Sequence, residues 1–155
     1  MDEIKFNYDS SYTNVYLLGE EDNLSDLGDK VFNSDSFFFI DDSIPKELLE
    51  EIIQFHNHEF ITVDEELKTI ETVERLWEEM FSAGLSKKSH LIGVGGGVLT
   101  DLIGFAASTF KRGIDFSFVP TTLLGMVDAS HGGKNGVNTL YGKNQVGLIN
   151  IPNNV

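Results

Sequence analysis

The apolar residues of this chain fall into two kinds of segment, short unbroken runs and longer stripes at three- and four-residue steps. Phe37-Phe38-Phe39-Ile40 is too short for a helix and predicts a buried strand. Phe60–Val63, His90–Val94 and Phe116–Val119 are runs of the same kind, the last closed by Pro120. From Lys68 to Ala83, the residues Ile70, Val73, Leu76, Trp77, Met80 and Phe81 form one helical stripe, expected in the core, and Gly84 supplies the stop. Val98–Phe110 predicts a largely apolar helix, Thr121–Ala129 another, and Gln145–Ile151 a last extended segment. Asp41-Asp42-Ser43 ends the first run, and Pro45 is placed to begin a helix through Ile53. Ahead of these, Ile4–Tyr8 and Asn14–Leu18 alternate weakly around Ser10-Ser11, which predicts an opening hairpin. Glu20–Ser34 is acidic, with a weak helical pattern around Leu24 and Leu27. Short apolar strands alternating with helices predict an α/β domain with a doubly wound, mostly parallel sheet and helices on both faces. No closing element is evident after Pro152.

Composition fits one domain of this class. With 155 residues, 41% of them hydrophobic, the chain can bury a single core. No apolar run approaches the roughly 20 residues of a membrane helix, and the acidic start is unlike a signal peptide, so a cytoplasmic protein is expected. Absence of cysteine removes disulfides, thiolate catalysis and Cys-type zinc sites. The net charge of −14 is unevenly spread: residues 1–80 hold 22 acids and 5 bases, residues 81–155 hold 3 acids and 6 bases. That acidic first half argues against nucleic acid or an anionic membrane as partner and reads as a solvated surface. Twelve of the 15 glycines lie between Gly93 and Gly147, so close backbone approach, and with it the chemistry, is expected in the second half.

Ile92-Gly93-Val94-Gly95-Gly96-Gly97-Val98 runs from a strand through glycines into a helix. Either the glycines only permit the turn, or they bring a phosphate against backbone N–H groups and the helix's positive end. The chain has no GxxxxGK[ST] run, which argues against a P-loop NTPase. A G-x-G-x-x-G reading from Gly95 fails at Thr100, and Asp115 precedes rather than ends a strand, so a standard Rossmann dehydrogenase fits poorly. Asp101, one turn into an apolar helix, is either a dipole-stabilising acid or a ribose acceptor.

The run Gly95 to Ala107, then Arg112-Gly113, then Val119-Pro120-Thr121-Thr122-Leu123-Leu124 resembles 3-dehydroquinate synthase in order and spacing. So do Val127-Asp128-Ala129-Ser130-His131-Gly132-Gly133-Lys134-Asn135-Gly136-Val137-Asn138 and Gly142-Lys143-Asn144. Upstream, Asp64-Glu65-Glu66-Leu67-Lys68-Thr69 is similar to the family's D-G-E-x-x-K-T segment, and Asp41 falls where the first nucleotide-contacting strand ends. The resemblance covers about Phe37 to Pro152. It implies a Rossmann-like, NAD-binding amino-terminal domain over residues 1–155 of a lyase of the shikimate pathway. That enzyme converts 3-deoxy-arabino-heptulosonate 7-phosphate to 3-dehydroquinate and phosphate, with catalytic NAD and a divalent metal, zinc or cobalt.

By the family pattern, Asp41, Asp64, Glu65 and Lys68 would hold the adenosine end of NAD. Gly96, Gly97, Val98, Leu99, Thr100 and Asp101 would cradle its pyrophosphate and ribose, with Thr121 and Thr122 adding contacts. Lys134 and Lys143 would lie near nicotinamide and substrate, and Asp128 and Asn144 would hold substrate hydroxyls. Arg112 would reach the phosphate in the neighbouring subunit's site, which implies a homodimer. Arg112, Lys134 and Lys143 are three of the six bases after residue 80, and an anionic sugar-acid phosphate needs several cations.

Several positions depart from the pattern. Thr100 stands for a glycine, Asp64 for the turn glycine, His131 for a small apolar residue and Asn135 for Thr. His131 is expected either to tune substrate choice or to be a hydrogen-bonded loop histidine. His56 and His58 could mimic a metal pair but read as surface residues. The family's metal ligands, one Glu and two His, belong to a carboxy-terminal helical domain not found in this sequence, so the chain alone is expected to be inactive. Related readings are 2-deoxy-scyllo-inosose synthase and 2-epi-5-epi-valiolone synthase, and outside enzymes a nucleotide-binding module. The run Thr122-Leu123-Leu124-Gly125-Met126 argues against the iron-dependent alcohol and glycerol dehydrogenases.

Overall fold

The computed structural model describes residues 1–8, 11–32 and 34–155, with the backbone alone at 24, 25 and 29. In chain order its strands and α-helices are β1 (Asp2–Asn7), β2 (Tyr12–Leu17), β3 (Ser36–Asp41), α1 (Glu50–Phe55), β4 (Asn57–Ile61), α2 (Ile70–Ser82), β5 (His90–Gly95), α3 (Gly97–Thr109), β6 (Asp115–Pro120), β7 (Lys134–Thr139) and β8 (Gly142–Ile149). The central sheet has the order β4-β3-β5-β6, and all its pairs are parallel. It is the doubly wound, Rossmann-like sheet expected from the sequence.

The four-residue run in β3 explains why both faces are covered. Side chains alternate across a strand, so Phe37 and Phe39 join Val73, Leu76 and Met80 of α2 and Leu102, Ile103 and Ala106 of α3. Phe38 and Ile40 point the other way, onto Ile52 of α1 and onto Leu27, Val31 and Phe32. Gly93 lets α3 close on the sheet, since a Cβ there would stand 3.2 Å from Ile103 Cγ1.

Thr69 caps α2, its Oγ1 accepting from Thr72 N, and Gly84 ends it at φ 74°. Gly84 N donates to Phe81 O and Leu85 N to Met80 O, the paired bonds of a Schellman stop. The expected stripe is narrower than its periodicity. Val73, Leu76 and Met80 are buried, whereas Ile70 and Phe81 at its margins are exposed. Phe81 instead stacks at 4.6 Å on Phe110. Trp77 is half-buried and its indole N–H donates to Ala106 O at 3.2 Å, a packing role.

Other expected boundaries move. The helix from Pro45 divides into a 3-10 turn at Lys46–Leu48 and α1, because Leu49 between them departs from helical dihedrals (φ −120°, ψ 7°). The strand expected at Phe60–Val63 is β4, displaced towards the amino terminus by its parallel register with β3. A 3-10 helix at Leu24–Lys30 occupies the acidic stretch, and the helix expected at Thr121–Ala129 is a π-helical turn at Gly125–Ala129. The opening hairpin forms as β1–β2, in antiparallel register; Ser10 of its turn lies outside the described residues.

Two features were not expected. Lys134–Thr139, to which the hydrophobic pattern assigned no element, is a strand that pairs antiparallel with β8, beyond the parallel sheet. The chain also has a closing element. Asn153–Val155 runs between β6 and β2: Phe118 N donates to Asn154 O, Asn153 N to Phe116 O, Val155 N to Asn14 O and Tyr16 N to Val155 O. Through these bonds the opening hairpin joins the edge of the central sheet.

Candidate functional site

The parallel strands end on one side of the molecule, and β4 and β5 leave β3 in opposite directions. Such a switch point leaves a crevice beyond the strand ends, where ligands of this architecture bind. Asp41 ends β3 there and Gly95 ends β5, so close that a Cβ on Gly95 would stand 3.2 Å from Asp41 Cβ. Gly96 then caps α3 without a side-chain acceptor. The first N–H groups of α3, which have no partner within a helix, are left at its positive end. The turn after β6 lies against this loop: Gly96 faces Thr122, Gly97 faces Ala129, and Thr121 N donates to Gly95 O.

Within this loop the side chains divide. Leu99 and Thr100 are fully buried, and Thr100 Oγ1 donates to Gly97 O at 3.0 Å. Thr100 therefore takes the family's glycine position by turning its methyl and hydroxyl inward.

One turn further on, Asp101 meets Lys68. The Lys68 ammonium is buried and ion-paired with Asp101 Oδ2, and it also donates to Asn144 Oδ1 at 2.5 Å. Burial pushes the Asp101 carboxyl above the usual carboxylate range, opposed by Lys68 and aided by the like charges of Glu65 and Asp128. Asn144 holds a left-handed backbone (φ 54°) in the turn region of β8.

A second cluster adjoins the first. Asn138 Nδ2 donates to Glu65 Oε1 at 2.8 Å, and Lys143 Nζ stands 3.3 Å from the same oxygen. The Asn138 bond is the foremost cause holding the Glu65 carboxyl below its ordinary range, against the opposing effect of burial. Asp64 is engaged locally, its Oδ1 accepting from Glu66 N and Leu67 N, and so shapes the turn that presents Glu65 and Lys68. Asp41 Oδ1 likewise accepts from Ser43 N.

Asp101, Asp128, Lys134 and Asn144 line one cavity of about 530 Å³ between α3, the turn after β6 and the β7–β8 hairpin. Lys134 and Asp128 are exposed. Thr121 and Thr122 are exposed at the crevice rim, Thr122 Oγ1 accepting from Gly125 N. Arg112 does not join them. It follows the far end of α3, a helix of 13 residues and hence roughly 20 Å long, in an exposed left-handed turn (φ 68°).

The histidines lie outside these clusters. His131 hydrogen-bonds Met126 O at 2.7 Å, the loop role, with its ring 6.0 Å from Phe6. His56 packs on Phe32 and Phe38, and His58 Nδ1 bonds His56 O. Among the described residues no three His, Asp or Glu side chains gather as a metal site, and no helix is long and apolar enough to cross a membrane. Sequence reasoning gave no role to Asn138; its signal was an amide at the end of the glycine-rich run, where it faces Glu65 across the fold.

A doubly wound parallel sheet with a glycine loop at its switch point and a charged cluster beside it defines a Rossmann-like domain of the ligand-binding α/β class. Residues 59–155 match the family described as 3-dehydroquinate synthase N-terminal, and the chain belongs to that family. Over 89 residues it is 56% identical to the 3-dehydroquinate synthase of Pyrococcus abyssi, covering 57% of this chain and 26% of that protein. Its fold matches 2-deoxy-scyllo-inosose synthase complexed with carbaglucose-6-phosphate, NAD+ and Co2+, at TM-score 0.85 and 26% identity, over 99% of this chain and 44% of that one. The 2-epi-5-epi-valiolone synthase of Streptomyces hygroscopicus with NAD+ and Zn2+ bound matches at TM-score 0.80 and 26% identity, over 96% of this chain and 43% of that one. The matched regions cover less than half the length of each of these relatives.

Proposed function

We propose that this chain is the NAD-binding amino-terminal domain of a 3-dehydroquinate synthase, which converts 3-deoxy-arabino-heptulosonate 7-phosphate to 3-dehydroquinate and phosphate. The observation that carries the reading is the Lys68–Asp101–Asn144 cluster one turn from a glycine loop at the sheet's switch point. The loop suits a dinucleotide. It brings backbone close, and the uncapped first turn of α3 offers N–H groups to a pyrophosphate.

In this reading Asp41, Glu65 and Lys68 hold the adenosine half, Gly96 to Asp101 the pyrophosphate and ribose, and Thr121 and Thr122 the rim. Bound NAD would supply the transient oxidation and re-reduction of a substrate hydroxyl. Asp128 and Asn144 orient substrate hydroxyls in the cavity, and Lys134 and Lys143 meet the substrate's negative charge. Arg112 completes the site of a second subunit in a homodimer. Among the described residues no cluster fits a metal ion, and in this reading the zinc or cobalt of the family would be held by a separate helical domain. Without that domain the chain binds cofactor weakly and does not turn substrate over.

Relatives 46–56% identical over 57–69% of this chain are named 3-dehydroquinate synthases, which supports the acid sugar phosphate as substrate. The test is phosphate release by the full-length parent. Release from the acid sugar phosphate with NAD+ and a divalent metal is expected, and release only from sugar phosphates lacking the carboxylate would favour another cyclase. Calorimetry of NAD+ into the 155-residue chain tests the cofactor assignment separately.

A further inference from the structure

We propose that Asn138 is a positioning residue of this site, holding Glu65, Lys68 and Asn144 in one arrangement and thereby setting affinity for the adenosine half of NAD. The inference rests on the functional reading above. Asn138 sits in β7, yet its bonds run to two other segments. Its backbone N–H donates to Lys68 O at 2.8 Å. Its Nδ2 donates to Glu65 O at 3.2 Å and to Glu65 Oε1 at 2.8 Å, and its Oδ1 accepts from Asn144 N at 2.9 Å. The backbone partners fix which end of the amide is which, because Glu65 O can only accept and Asn144 N can only donate.

An amide is therefore required rather than tolerated. Aspartate lacks the donor, an apolar residue lacks both functions, and glutamine carries an extra methylene. What the amide holds is the geometry a ribose would meet. It pins Glu65 Oε1, and among the described residues Glu65 Oε2 meets no donor, leaving that oxygen as the acceptor for a hydroxyl. It also supports the left-handed Asn144, whose own Oδ1 bonds the Lys68 ammonium. Removing the side chain leaves the backbone bond to Lys68 intact, so the hairpin stays docked while the three polar groups lose their common support.

The experiment is calorimetric titration of NAD+ into the unmodified chain, Asn138→Ala and Asn138→Asp, with thermal melts alongside. Asn138→Ala is expected to weaken binding about tenfold, the size of a lost hydrogen bond to a charged group. Asn138→Asp is expected to weaken it more at about pH 8, because two carboxylates then face each other, and to regain affinity towards about pH 6 as the pair shares a proton. The unmodified chain should show no such gain, and a purely structural role predicts none in either protein. Should Asn138→Ala fail to fold, the near-isosteric Asn138→Asp carries the test through this pH signature. Undiminished NAD+ binding by Asn138→Ala, or a pH-independent Asn138→Asp, overturns the inference alone. No binding by the unmodified chain removes the functional reading and this inference with it.

Discussion

Gly104 of α3 lies directly against the side chain of Asn135 in β7: a Cβ at position 104 would stand only 1.8 Å from Asn135 Oδ1. Asn135 is buried there, its Nδ2 donating to Gly133 O at 2.9 Å and Asn150 O at 2.8 Å. The family's glycine-rich segment is thus fastened to the helix that begins at the glycine loop, and the hairpin carrying Lys134 is set relative to Asp101.

The first prediction follows from that contact. Gly104→Ala should destabilise the chain by about 1–3 kcal/mol, the range for overpacking a filled site. In an Asn135→Ala background the same change should cost little, because the obstructing amide is gone and alanine favours the helix. A double-mutant cycle by urea unfolding checks this, and additive losses would show that the two side chains are not in conflict.

Much of the central sheet was legible because β3, β5, α2 and α3 carry unbroken apolar periodicity, and their cores depend on those residues alone. The extended segment expected at Gln145–Ile151 is realised as β8, but its partner β7 was hidden for a physical reason. Gly136 and Gly147 face each other across the hairpin, so closely that a Cβ on Gly136 would stand 2.6 Å from Val146 O, and no apolar alternation marks such strands. The closing segment at Asn153–Val155 pairs with residues near Asn14, a partner no local pattern reveals. At the site, four residues named from motifs, Asp101, Asp128, Lys134 and Asn144, line one cavity, whereas Arg112 lies at the far end of α3. Asn138 stayed without a role because its function lies in bonds to Glu65 and Asn144, which only the fold brings within reach.

A pH dependence of stability is the second prediction. His90 is buried against Ser117 Oγ at 2.8 Å, and burial holds its pKa below the ordinary 6.5. In the unfolded chain the imidazole takes up a proton as pH falls through that ordinary value, while the folded chain resists. The unfolded state then binds more protons, so the stability His90 contributes is present above 6.5 and lost as pH falls through the folded value. His56, lowered by burial as well, acts in the same direction. Urea unfolding at about pH 7.5 and about pH 5.5 should show a larger loss for the unmodified chain than for His90→Gln. Equal losses would mean that His90 is protonated in the folded chain.

The third prediction separates the two ends of α3. Lys68→Ala removes a buried ammonium and leaves Asp101 without its ion pair, so NAD+ affinity should fall by at least about tenfold. Arg112→Ala, at the far end of the helix, should leave the chain's NAD+ affinity unchanged while lowering turnover in the full-length parent, where it is proposed to complete a second subunit's site. Paired calorimetry and steady-state kinetics decide it. Loss of NAD+ binding in Arg112→Ala, or none in Lys68→Ala, would reverse the assignment of the crevice.

The fourth concerns Lys134, the residue on which the substrate reading turns. It opens β7 opposite Ile149, is exposed, and lines the cavity with Asp101, Asp128 and Asn144. Gly133 before it takes a left-handed backbone (φ 62°), and a Cβ there would stand 3.3 Å from Asn150 O. That turn delivers the lysine to the cavity mouth, where an anionic substrate would meet its ammonium in a partly desolvated setting. Losing one charged hydrogen-bond partner there costs about 1.5–3 kcal/mol. In the full-length parent Lys134→Ala should therefore cut turnover by at least about tenfold, the factor of about 1.4 kcal/mol. The melting temperature should hardly move, because an exposed lysine outside the core contributes little to folding. Lys87→Ala, in the exposed turn before β5, should change neither quantity. A Lys134→Ala parent with full turnover, or one inactive only because it unfolds, would exclude Lys134 from substrate binding and leave the cavity's anion to Lys143 and the first turn of α3.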